Sequence, residues 1–337
     1  MKIIISLFVL LLITMAGAAS PGYQLLKKLQ IGGDGFWDYL TVDDNARRLY
    51  ISHSTRVQVI DLETDKIIGE ISDTPGVHGI TLATEFNRGF ISCGRADKVV
   101  IFDLKTLDVL GEVKTGKNPD AIRYDNASKQ VFVFNGRSGN ATVFKAADGE
   151  TTATIELGGK PEFSMTDGSG RIYVNIEDMS EVVEIDSRSN TIRRRFSISP
   201  GEEPTGMGFD IVHHRIFSGC GNKLMTILDT ESGKLLATVP IGAGCDGAGF
   251  DPETGLAFSS NGEGTLTVVQ ETSPGKFEVV QTVETQAGAR TMAIDPKTHN
   301  IYLPTAQFGP APAPTADVPH PRRTIVSDSF VVLVVGK

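Results

Sequence analysis

Arg48-Leu49-Tyr50-Ile51-Ser52, with Val57-Gln58-Val59-Ile60-Asp61-Leu62 behind it, returns as Arg88-Gly89-Phe90-Ile91-Ser92 with Val99-Val100-Ile101-Phe102-Asp103-Leu104. Shorter echoes follow: Gln130-Val131-Phe132-Val133-Phe134, Arg171-Ile172-Tyr173-Val174, Arg215-Ile216-Phe217-Ser218, Leu256-Ala257-Phe258-Ser259 and Asn300-Ile301-Tyr302-Leu303. The aromatics Tyr50, Phe90, Phe132, Tyr173, Phe217, Phe258 and Tyr302 are separated by 40, 42, 41, 44, 41 and 44 residues. Self-similarity at a fixed period is the signature of a repeat architecture.

Each unit reads as four short strands. In the second they are predicted at Val77–Ala83, Gly89–Ser92, Lys98–Asp103 and Val109–Val113, with polar turns between them. Period-two alternation and β-branched enrichment favour strand over helix. Four strands in roughly 40–45 residues make one propeller blade. The seventh unit supplies Ala289–Asp295, Asn300–Leu303 and Ser329–Val335, and then the chain stops one strand short. The N-terminal segment Tyr23–Ile31 is unclaimed and can pair beside Ser329–Val335. The expected fold is therefore an all-β, seven-bladed propeller, residues 21–337, latched by its N-terminal strand. Such closure removes open sheet edges.

These repeats resemble the YVTN-type repeat of the YncE-like family of exported bacterial β-propeller proteins. The resemblance rests on Tyr50-Ile51-Ser52 with Val57–Leu62, and on Phe90-Ile91-Ser92 with Val99–Leu104. It covers the chain beyond its leader and implies architecture rather than chemistry. One member of that family is associated with DNA binding. Here 41 acidic against 32 basic residues give a formal net charge of −9, which argues against a partner held by phosphate neutralisation.

Met1–Ala19 has the layout of a secretory signal: Lys2, an apolar run Ile3–Met15, then Ala16-Gly17-Ala18-Ala19. The run is short for a membrane span of ~20 residues. A periplasmic or secreted chain without stable membrane insertion is expected. Its three cysteines, Cys93, Cys220 and Cys245, leave at least one thiol unpaired, with Cys220–Cys245 as a possible bridge.

In a propeller the blade-to-blade connections and the second-to-third-strand turns open on one face. Counting five residues back from the end of each inner strand gives Asp38, Gly79, Asp120, Glu162, Thr205, Asp246 and Arg290. Asp38, Asp120, Glu162 and Asp246 around one channel mouth suit a hard divalent cation or a cationic ligand; Asp120 and Asp246 also sit in ordinary turn sequences. A second column, at the exits of the second strands, reads His53, Cys93, Asn135, Ile176, Cys220, Asn261 and Thr305. Its imidazole and thiols are zinc or copper ligand types, without any close-spaced pair. Arg95, Arg137 and Arg290 map to the same rim, where they can bind an anion or pair with Asp97 or Glu162. Trp37, beside Asp38, can stack on a flat ligand or pack between blades. A proline-rich insertion, 304–326, should project from this face and carry His320 and Arg322.

The leading expectation is a monomeric binding or scaffold protein whose channel mouth takes a small molecule or a protein partner. The alternative is a metal-dependent hydrolase, lactonase or lyase, with Asp38, Asp120, Glu162 or Asp246 holding the cation and His53 or His78 as base. The ligand itself is not legible in the residues.

Overall fold

A computed structural model describes residues 22–311 and 323–337. The leader and the centre of the insertion, with His320 and Arg322, lie outside them.

Seven four-stranded antiparallel sheets follow one another along the chain. The inner strands are Trp37–Asp43, Val77–Ala83, Pro119–Asp125, Pro161–Thr166, Pro204–Asp210, Cys245–Asp251 and the short Ala293–Ile294. The last sheet is completed by the latch strand Gln24–Gln30, which pairs antiparallel with Val331–Gly336; Leu29 faces Val332. The fold is thus the expected seven-bladed propeller, closed by its first strand.

The periodic aromatics have a packing reason. Each stands on a second strand, and four of them meet a ring of the following blade. Tyr50 lies 5.7 Å from Phe102, Phe90 is 5.5 Å from Phe144, Tyr173 is 5.1 Å from Phe209, and Phe217 stacks on Phe250 at 5.4 Å. The core is consequently a set of clusters between blades. One of them joins Tyr50, Val57 and Ile71 of the first blade to Ile80, Ile91 and Phe102 of the second. Burying large aromatics there removes most of their surface from water and fixes the angle between neighbouring sheets.

The turn-facing ends of the inner strands are held by aspartates. The Asp43 carboxylate accepts from the Asn45 and Ala46 N–H groups at 3.1 and 2.9 Å, and Asp125 accepts from Ser128 at 2.9 Å. The second blade has Ala83 at this place, and its turn tightens into a short 3₁₀ helix, Thr84–Phe86. That inner strand ends at Ala83, so the count back that reaches Gly79 starts one residue too far along. Its register matches that of the first blade, with Val77 opposite Cys93 as Trp37 is opposite His53.

In the last blade the second strand runs to Thr305, so the insertion begins two residues later than its proline content suggests. Its base is a paired stem: Phe308 bridges Ile325, Gly309 N–H donates to Thr324 O at 2.8 Å, and Val326 N–H donates to Gln307 O at 2.9 Å. Among the described residues no helix is long and apolar enough to cross a membrane.

Deleting residues 22–30 uncovers the edge of Val331–Gly336, all six residues of which are buried. The expected result is loss of the cooperative thermal transition and self-association through that edge, read by calorimetry and size-exclusion chromatography.

Candidate functional site

The second residue of each of the first six inner strands, and Arg290 just ahead of the short seventh, face one mouth of the bore. The ladder is interrupted just there: register shifts fall between Trp37 and Leu40, Val77 and Ile80, Pro119 and Ile122, Pro161 and Ser164, Pro204 and Met207, and Cys245 and Gly247. A bulge re-aims the side chain it carries. The backbone at this level is pinned across blade boundaries: Ser92 Oγ donates to Asp120 O, Asn175 Nδ2 to Thr205 O at 2.8 Å, and Ser260 Oγ to Arg290 O at 2.6 Å. Second-to-third-strand turns close on the same face, as Gly94 N–H to Gly76 O and Gly136 N–H to Asn118 O show, at 2.8 and 2.9 Å.

With the register of the second blade corrected, the ring reads Asp38, His78, Asp120, Glu162, Thr205, Asp246 and Arg290. Gly79 gives up its place to His78. The ring is knit by charge. His78 Nδ1 lies 2.5 Å from Asp38 Oδ2 and 3.7 Å from Asp120 Oδ1. Arg290 Nε is 2.8 Å from Asp246 Oδ2, and its Nη2 is 3.4 Å from Asp38 Oδ1. Lys160 Nζ holds Glu162 at 2.7 Å and also pairs with Glu177. Asp120 Oδ1 is buried and accepts no hydrogen bond.

Burial sets the protonation states. It raises the Asp120 carboxyl to about 6, against the charge of His78 and with that of Asp38. It likewise raises Asp246 to about 7, against Arg290. Glu162 is raised by burial and by the Asp120 charge, with Lys160 opposing. For His78, burial alone would lower the pKa; the hydrogen bond to Asp38 and the charges of Asp120 and Asp38 overcome it and raise it to about 9. Tyr39, the third residue of its strand, stands under the ring. Burial first, then the charges of Asp120, Glu162, Asp38 and Asp246, hold its phenol well above the usual value.

Other candidates lie elsewhere. Trp37 packs between the first and last blades, 5.4 Å from Phe330 and 6.0 Å from Phe308, rather than opening onto the bore. His53 is fully buried, its Nδ1 2.8 Å from Gln58 Oε1 and its ring 4.3 Å from Phe330. Its column is a set of structural pins. Asn135 Nδ2 reaches Asn140 and Thr142 at 2.9 and 3.0 Å, and Asn261 Nδ2 reaches Thr265 and Thr267, each at 3.0 Å. Cys93, Cys220 and Cys245 are buried free thiols, so Cys220 and Cys245 are not bridged, and burial pushes all three to about 12. Arg95 and Arg137 are exposed on the outer rim, and among the described residues neither forms an ion pair. Asp97 pairs instead with Lys117 at 2.6 Å.

Chemically, Asp38, His78 and Asp120 bring one ligand atom each to within 4.8 Å of one another, close enough to share a metal ion. Asp246 is tied to Arg290 and Glu162 to Lys160, so neither is free to join them. Reading the residues missed His78 as a ring member, along with Tyr39 and Lys160. The first was recoverable from the turn, because Ala83 lacks the carboxylate that ends the other inner strands.

No family model matches the chain, and no curated protein sequence matches it. Many solved structures share the fold. One is a chain of Kuenenia stuttgartiensis hydrazine synthase, similar at TM-score 0.70 with 15% identity over 88% of this chain and 96% of that one. Similarity at that identity defines a class, the seven-bladed propellers, and stops there.

The His78 proton is held more tightly folded than unfolded, because its pKa rises from 6.5 to about 9. Its stabilisation is complete below pH 6.5 and lost as pH rises through about 9. His78→Gln should remove on the order of 1–3 kcal/mol at the acid end and flatten that slope. Melting temperatures of both proteins across this range check it.

Proposed function

We propose that this chain is an exported propeller of the YncE-like type that works by binding, and that its site is the ring at the channel mouth. Its ligand is a small organic cation, or a small molecule presenting amine donors. The observation that carries this is the Asp120 carboxylate: its Oδ1 is buried and accepts no hydrogen bond, with His78 Nδ1 3.7 Å away, beside a charge network that satisfies every other ring acid. A buried acceptor without a donor costs free energy that a ligand donor recovers. The leader-like Met1–Ala19 supports export.

Binding is favoured over catalysis because the candidate bases are occupied. His53 is buried against Gln58, and His78 is held as an imidazolium between two carboxylates. A second reading, metal-assisted hydrolysis or elimination, rests on the Asp38–His78–Asp120 geometry. A divalent ion there would polarise a substrate oxygen or acidify a bound water. His78 would then be a ligand and could not serve as base.

Thermal-shift measurements with agmatine, and separately with zinc chloride, distinguish the two. On the binding reading agmatine raises the melting temperature of the wild type but not of Asp120→Asn. The effect grows from pH 5 to 8 as the raised Asp120 and Asp246 carboxyls ionise. On the metal reading zinc produces the shift, and both His78→Gln and Asp120→Asn abolish it. No response to agmatine at any pH rejects the organic-cation reading.

A further inference from the structure

Beyond the ring, the inner strands line a second compartment. It is a cavity of about 270 Å³ whose lining includes Tyr39, Phe163, Met165, Met207, Met292 and Arg123. Tyr39 and Phe163, 5.3 Å apart, lie on the side toward the ring. The compartment is largely apolar, and one charge faces it.

That charge is Arg123, the fifth residue of its inner strand. Its Nε and Nη2 donate to the Ser164 carbonyl of the next blade at 3.0 and 2.6 Å, and its Cζ sits 5.3 Å from the centre of the Phe163 ring. A guanidinium carries five N–H donors. Two are used on Ser164, leaving the Nη1 pair and the second Nη2 hydrogen; one hydrogen on each of these two nitrogens points along the end edge of the fork. Among the described residues no carboxylate pairs with Arg123, and burial pushes its pKa down to about 10, with only the Tyr39 phenol opposing. The half-buried cation therefore lacks a carboxylate counter-ion.

We propose that this cavity binds a small monocarboxylate with a compact apolar body. Its carboxylate takes the free edge of Arg123 in a two-bond fork, and its body lies among Met165, Met207, Met292 and Phe163. Guanidinium and carboxylate match in such a fork. Methionines accommodate varied apolar shapes. A cavity of roughly 150 Å³ admits a benzene ring, so this one has room for a ring or short chain plus the carboxylate. A monoanion is favoured because the compartment offers one cation. This site is separate from the ring, and neither proposal depends on the other.

Isothermal titration of the full chain with sodium benzoate and sodium hexanoate tests it, with benzamide and hexanol as uncharged controls. The carboxylates should bind about ten- to a hundredfold more tightly than the controls, as expected for charge-assisted hydrogen bonds. Arg123→Met should lose that preference while remaining folded, and Arg123→Lys should retain part of it, keeping the charge without the fork. Ala293→Phe, which fills the cavity and leaves the guanidinium in place, should block both carboxylates. The proposal is overturned if benzoate and benzamide bind alike, if neither carboxylate binds, or if binding survives Arg123→Met. It is also overturned if excess chloride competes on equal terms with benzoate, which would make the site one for an inorganic anion. Should Arg123→Met fail to fold, Arg123→Lys and Ala293→Phe still decide the matter. Failure of agmatine at the ring leaves this result untouched.

Discussion

Seven inner strands have to share one axis, and the closeness this imposes governs the rest of the molecule. A Cβ on Gly206 would stand 2.3 Å from Ala248 N, and one on Gly208 would stand 2.6 Å from Gly249 C. Backbone meets backbone there, with no room for a side chain between adjacent strands. Elsewhere on the axis two large rings, Tyr39 and Phe163, stand 5.3 Å apart. The bore is thus divided into a charged mouth and an apolar chamber by where the chain can and cannot place a side chain.

Crowded strands must also satisfy their polar backbone. The bulges near the mouth take the second residue out of the ladder, which frees its carbonyl for a neighbour. Ser92, Asn175 and Ser260 supply that neighbour's donor across three blade boundaries. The same bulges turn Asp38, His78, Asp120 and Asp246 toward one another. Binding geometry and blade cohesion therefore come from one backbone device, and the ring is as rigid as the joints between blades.

The architecture was legible because its cause is periodic. The repeat aromatics recur since every blade buries a ring on its second strand, in several cases against a ring of the next blade, and that need writes itself into the chain at near-constant spacing. Most of the ring followed by counting from strand ends. Where the count failed, at Gly79 for His78, the error came from a turn that uses a 3₁₀ helix in place of an aspartate. The second column misled for a different reason. His53 and Asn261 have side chains able to bind metals or ligands, but they spend them on the third strand of their own blade. Residue type and position alone do not reveal that a hydrogen bond is already made. Arg123 was invisible for the opposite reason: a single arginine in a strand carries no mark that its partners are apolar.

Why Arg123 is kept can be argued from distance. It stands three residues beyond Asp120 on one strand, about 10 Å along it. At an effective dielectric of about 20, a unit charge at that distance attracts it by only about 1.7 kcal/mol. That is a weak hold on a half-buried cation. Tyr39 and Phe163 stand between the two levels, so the ring acids cannot swing down to it. Joining blades three and four through the Ser164 carbonyl does not require a charge, since a neutral glutamine could make that bond. Filling space does not require one either, since methionine does so at three places in the same lining. The remaining property of a guanidinium is its free, forked, positive edge, and the cavity beside it is where an acid from outside the chain can reach it.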